Sequence, residues 1–89
     1  MSRIVMAVTT QCTRCPMYAA QLDRVGVEYE IVDIQVDEAM RALVCDTLGY
    51  AEAPVFLHLE DSDGHVLAHT AAYDKRLLQQ WHSEAFSAA

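Results

Sequence analysis

The 89 residues are 53% apolar and 21% charged, a balance that supports one small packed core and excludes intrinsic disorder, a second catalytic domain and a deep cofactor cavity. Thirteen acidic against six basic side chains give a formal charge of −7, a field that repels phosphate backbones and anionic lipid, so neither nucleic acid nor a membrane is an expected partner. The apolar run Ile4-Val5-Met6-Ala7-Val8 is too short for a signal-peptide core or a bilayer span, and the expectation is a cytoplasmic, monomeric protein with one domain over residues 1–89.

Arg3 to Val8 reads as a continuous apolar strand covered on both faces, ending at Thr9-Thr10-Gln11. From Cys12 the period changes. Cys15, Ala19, Leu22 and Val25 recur every three or four residues, with Pro16 in the first turn and Gly26 just past the end, which predicts a helix opened by cysteines. Val27 to Ile34 alternates Tyr29 and Ile31 with acids and predicts a second strand, reached through a crossover helix in a βαβ unit. Asp37 starts a helix whose Met40, Leu43, Val44, Thr47 and Leu48 form one stripe, stopped by Gly49. Val55 to Glu60 and Val66 to Thr70 are strand-like and flank Asp61-Ser62-Asp63-Gly64-His65, whose Asp-Gly pair suits a tight antiparallel hairpin. Asp74 can cap a last helix in which Leu77, Leu78, Trp81 and Ala85 point inward while Lys75, Gln79 and Glu84 face water. The order is βαβαββα.

Three cysteines, an odd number in a chain with no sign of export, do not indicate a structural disulfide framework, so their spacing has to be read for redox or metal chemistry. Cys12-Thr13-Arg14-Cys15 falls where a strand ends and a helix begins, and there unpaired N–H groups and the helix dipole favour an anion. The anion here is a thiolate, and Arg14 pushes the same way. A thiolate is both the attacking species and the better leaving group, so Cys12 reads as the nucleophile and Cys15, one turn further on, as the thiol that resolves a mixed disulfide. The same spacing is half of a zinc site, although no second Cys or His pair has comparable spacing. Ala53-Pro54 stands immediately before the third strand, where a cis proline at the strand's start fits because proline cannot extend a central ladder.

Cys12-x-x-Cys15 after the first strand, Val27-Glu28-Tyr29-Glu30 leading into Val32-Asp33-Ile34, Leu48-Gly49-Tyr50, and Ala53-Pro54-Val55 together resemble the glutaredoxin-like proteins, closest to the NrdH-redoxin branch, over nearly all of the chain. The resemblance implies an α/β thioredoxin fold with a four-stranded mixed sheet and helices on both faces. It also implies dithiol-disulfide exchange with Cys12 and Cys15 as the catalytic pair and Thr13, Arg14, Ala53, Pro54, Ala72 and Tyr73 as substrate-binding residues. No bound cofactor or metal is implied. Electrons would come from NADPH through a thioredoxin reductase, and the acceptor would be a disulfide-containing protein such as ribonucleotide reductase. The alternative is a glutathione-dependent glutaredoxin. Thr9 stands where those proteins usually carry a basic residue, Ala53 replaces a valine, and Ala71-Ala72 falls where they carry a glycine pair and where NrdH-redoxins carry Trp-Ser-Gly-Phe. A reading from another class is a non-catalytic module that binds a protein along Pro54 or bridges a metal through Cys12 and Cys15.

Other residues have plainer readings. Cys45 projects about 130° from the centre of its helix's stripe and is expected to be a partly exposed free thiol without a catalytic role. A hairpin loop of two or four residues would set His58 opposite His69; without a third ligand, two ordinary strand histidines are expected. Trp81 shares a stripe with Leu77, Leu78 and Ala85 and is expected in the core. Glu28, Glu30, Asp33, Glu60, Asp61 and Asp63 form no paired-carboxylate or calcium arrangement and read as a solvated surface.

Overall fold

Alternation along the two inner strands divides the interior into two cores. The computed structural model describes residues 2–86, so residues 1 and 87–89 of the expected domain lie outside it. Strand β1 (Ser2–Val8) is followed by helix α1 (Cys15–Arg24), strand β2 (Glu30–Asp33), helix α2 (Glu38–Arg41, continuing as a π-wound segment Ala42–Thr47), strands β3 (Val55–Glu60) and β4 (Val66–Thr70), and helix α3 (Lys75–Phe86). The sheet order is β2-β1-β3-β4. β1 runs parallel to β2 and antiparallel to β3, and β3 runs antiparallel to β4. Ile4, Met6 and Phe56 face one way, onto Leu22 of α1 and Leu78 and Trp81 of α3; Val5, Ala7, Val55 and Leu57 face the other way, onto Val44. This two-sided cover explains why Ile4 to Ala7 is apolar without interruption. The four-stranded mixed sheet with helices on both faces is the architecture expected from the sequence.

Four local expectations change. Helix α1 begins at Cys15 rather than Cys12, because the Cys12 amide closes a turn on the Thr9 carbonyl at 3.1 Å and Pro16 has no N–H to offer a preceding turn. Strand β2 spans Glu30–Asp33 rather than Val27–Ile34: the Val27 amide bonds the Leu22 carbonyl at 3.1 Å, which holds Val27 at the end of α1 and outside the ladder. Its buried side chain explains the misleading alternation. Tyr29 then anchors the approach to β2 by donating to the Ala19 carbonyl and Asp23 Oδ1, both at 3.1 Å.

In the third change, the second half of the Asp37 helix winds wider, with the Leu48 amide reaching the Leu43 carbonyl at 2.9 Å. Each residue of an i→i−5 turn advances by less than the ~100° of an α-helix. Thr47 therefore rotates outward and is exposed, while Cys45 swings toward Val44 and rests half-buried and free against the second core. Finally, the β3–β4 ladder on either side of residues 61–65 carries a bulge at His58/Leu59, and the register sets His58 opposite Ala68 and Leu57 opposite His69. The two histidines therefore lie on opposite faces of the sheet. The caps agree with the sequence: Asp37 accepts from the Met40 amide at 2.9 Å and Asp74 from the Leu77 amide at 3.2 Å. Trp81 is buried beside Leu78 and Ala85.

Candidate redox site

β1 ends, α1 begins and β3 starts at one edge of the molecule, because antiparallel pairing sets Val55 opposite Ala7. Cys12 lies in the turn after β1, and Cys15 is the first residue of α1. Their Cα atoms are 5.6 Å apart and their sulfurs are bonded to each other. The two environments differ: Cys15 is 6% exposed and belongs to the first core, whereas Cys12 is only half-buried. Arg14 occupies the N-cap of α1 and makes no side-chain cap; its carbonyl accepts from the Met17 and Tyr18 amides at 3.1 and 3.2 Å and Pro16 has no N–H, so what favours an anion here is the positive end of the helix dipole. Arg14 and Thr13 are exposed, and the Arg14 guanidinium makes no ion pair among the described residues.

Pro54 is buried at the start of β3, and the Ala53–Pro54 peptide is cis. Beside it runs a groove of about 520 Å³. Arg14, Ala53, Pro54, Ala72 and Tyr73, five residues expected to bind substrate, all line this groove; Thr13 does not. Tyr18, Gln21 and Glu52 line it as well and were not foreseen. Tyr18 stacks on Tyr73 with centroids 5.3 Å apart and planes at 20°, and buried Phe56 meets both rings edge-on at 6.2 and 6.0 Å. The available signal was positional, since Tyr18 is three residues after Cys15 on one helix and so shares its face. A second, more apolar hollow of about 380 Å³ touches both cysteines from the side of Met6, Ala19 and Ile31.

The turn carrying Cys12 has one further tether that the sequence did not reveal. Gln35, two residues past β2, presents its Oε1 to the Thr10 amide at 3.2 Å and to the Thr10 hydroxyl at 2.5 Å. Cys45 borders a small hollow near Gln11 and Ala53. His58 is remote from the sulfurs in its packing: it stacks on Trp81 at 5.6 Å, with Nε2 2.7 Å from Ser2 Oγ. His69 instead pairs through Nδ1 with the Tyr50 hydroxyl at 2.7 Å. Among the described residues no three His, Cys, Asp or Glu side chains are grouped to hold a metal, and no helix is long and apolar enough to cross a membrane.

A family model described as glutaredoxin matches residues 4–57, a span that contains Cys12, Cys15 and Pro54 but stops short of Ala72 and Tyr73. Among solved structures, the Malassezia sympodialis thioredoxin Mala s 13 is similar at a TM-score of 0.66 and 16% identity, covering 93% of this chain and 73% of that one. A structure described as that of a malarial protein is similar at a TM-score of 0.60 and 14% identity, covering 96% of each chain. Both likenesses concern the fold, which is the thioredoxin fold. No curated protein matches the chain.

Proposed function

The chain belongs to the glutaredoxin family, and from that premise we propose that it is a small thiol-disulfide oxidoreductase that reduces protein disulfides in the manner of NrdH-redoxins. The carrying observation is the asymmetry of the bonded pair: Cys12 is the more exposed residue and Cys15 the buried one, and Arg14 between them lines the Pro54 groove.

In the reduced protein the Cys12 thiolate attacks one sulfur of an acceptor disulfide, forming a mixed disulfide and releasing the other acceptor sulfur as a thiolate that takes up a proton. Cys15, deprotonated, then attacks Cys12 Sγ; the acceptor's second sulfur leaves as a thiol and the Cys12–Cys15 bond forms. Two electrons have passed to the acceptor. A donor dithiol returns them by the reverse exchange. Ala53, Pro54, Ala72 and Tyr73 offer the acceptor's backbone a wall that continues to Arg14, the residue before Cys15, with Thr13 and Arg14 at the exposed turn. The proposed donor is a thioredoxin reductase drawing on NADPH, and ribonucleotide reductase is a proposed acceptor; the proposed setting is cytoplasmic.

A glutathione-dependent reading has one observation in its favour, an Arg14 guanidinium with no ion pair among the described residues, lining a groove of about 520 Å³. NADPH consumption during insulin disulfide reduction separates the two. Turnover with thioredoxin reductase alone is the expected result; turnover only with glutathione and glutathione reductase would reassign the donor, and none with either would favour a non-catalytic module. Cys12→Ser is expected to abolish turnover, and Cys15→Ser to accumulate a mixed disulfide visible on a non-reducing gel.

A further inference from the structure

The segment carrying Cys12 leaves β1 at Val8 and enters α1 at Cys15. In the oxidised molecule the Cys12–Cys15 bond ties it to the helix. Reduction removes that tie, and the segment is then held by its other contacts. The Cys12 amide bond to the Thr9 carbonyl is internal to the segment. Thr10 reaches outside it, donating from both its amide and its hydroxyl to the single oxygen Oε1 of Gln35 at 3.2 and 2.5 Å.

Gln35 is in turn a fixed post. The Ile34 amide before it extends the β1–β2 pairing to the Val8 carbonyl at 3.0 Å, and its own amide donates to Asp33 Oδ1 at 2.8 Å. The Asp33 carbonyl accepts from the Val36 and Asp37 amides at 3.1 and 2.9 Å, closing the turn around it. One side-chain oxygen thus links a rigid turn after β2 to the loop that presents the nucleophile.

We propose that Gln35 is a positioning residue which, acting through Thr10, holds the Cys12 segment against the N-terminus of α1 when the dithiol is reduced. This rests on the oxidoreductase reading of the site. The thiolate gains from the positive end of the helix dipole only while it stays within the first turn. Loss of the clamp therefore falls on the dithiol form, because in the disulfide form the Cys12–Cys15 bond already fixes the segment. Thr10 and Gln35 are both exposed, so water competes for these bonds and the effect is moderate.

The test is iodoacetamide alkylation of the reduced full chain as a function of pH, with Cys12, Cys15 and Cys45 resolved by peptide mass spectrometry. Gln35→Met keeps the side-chain length without the acceptor oxygen, Thr10→Val keeps shape without the hydroxyl, and Thr10→Ser keeps the hydroxyl. Gln35→Met is expected to slow Cys12 alkylation at pH 7 by about three- to tenfold and to move its midpoint to higher pH. Thr10→Val is expected to lose part of that rate, Thr10→Ser to restore it, and the Thr10→Val/Gln35→Met double variant to fall no further than Gln35→Met alone. A Gln35→Met profile superposed on that of the unsubstituted protein, or additive losses in the double variant, would overturn the clamp. A Cys12 that alkylates no faster than Cys45 in the unsubstituted protein would overturn the oxidoreductase reading itself, and the clamp with it, before any substitution is made.

Discussion

Among the described residues His58 is the only buried polar or charged side chain, at 3% exposure, stacked on Trp81 and bonded to Ser2. Burial pushes its pKa below the ordinary 6.5, with Glu84 and Glu60 pulling weakly the other way. Between the depressed folded value and 6.5 the unfolded chain binds the extra proton and the folded one does not, so stability is full above that window and falls as pH drops through it. Urea unfolding at pH 7.5, 6.5 and 5.5 is expected to show this decline, and His58→Gln is expected to flatten it; an unchanged slope would remove His58 as its cause. At this scale the bonded Cys12–Cys15 pair was legible, because two cysteines at this spacing fall at a strand–helix junction that brings them together. Tyr18's place on the Cys15 face could have been read from its spacing, but its stacking on Tyr73 and the Thr10 bonds to Gln35 could not, because they are set by tertiary approach that no local spacing encodes.

Helix α2 shows what periodicity reports and what it omits. Its start was legible from Asp37, whose carboxylate accepts from the Met40 amide, and the same holds for Asp74 ahead of α3. Asp37→Ala and Asp74→Ala are each expected to destabilise the fold by about 1 kcal/mol, read as a lowered urea midpoint at constant slope. The wide winding over Ala42–Thr47 was invisible because a stripe drawn at α-helical spacing presumes the geometry it is meant to detect. The same limit shortened β2: Val27 and Tyr29 are spaced like a strand because both are sheltered, yet pairing begins only at Glu30. The extents of β3 and β4 were read correctly from their turn signals, but the bulge that separates His58 from His69 has no signature in the residues alone.

For the molecule as a whole, one sheet serves two cores, so neither can open without disturbing the strands that floor the other. Phe56 is fully buried in the first core and also supports the Tyr18–Tyr73 stack at the groove. Phe56→Ala is expected to cost about 3–5 kcal/mol, a large share of the ~5–15 kcal/mol typical of a folded domain. Trp81 fluorescence, which reports the first core, and far-ultraviolet dichroism are expected to fall together in one transition; separate midpoints would show that the two cores melt independently. The parallel β1–β2 and antiparallel β3–β4 pairs were legible from the crossover helix and the Asp-Gly turn, whereas the pairing of β1 with β3 has no local signal, because hydrophobic pattern fixes which residues are buried but not which strands are neighbours.

The strand that comes first along the chain lies inside the sheet, between β2 and β3. On the ribosome β1 therefore emerges well before β3, which follows only after α2. Pairings between distant segments form late, and until then one edge of Ile4–Ala7 remains an open apolar template of the kind that draws chains into aggregates. The burial that makes β1 the floor of both cores makes the growing chain depend on the prompt arrival of Val55–Glu60.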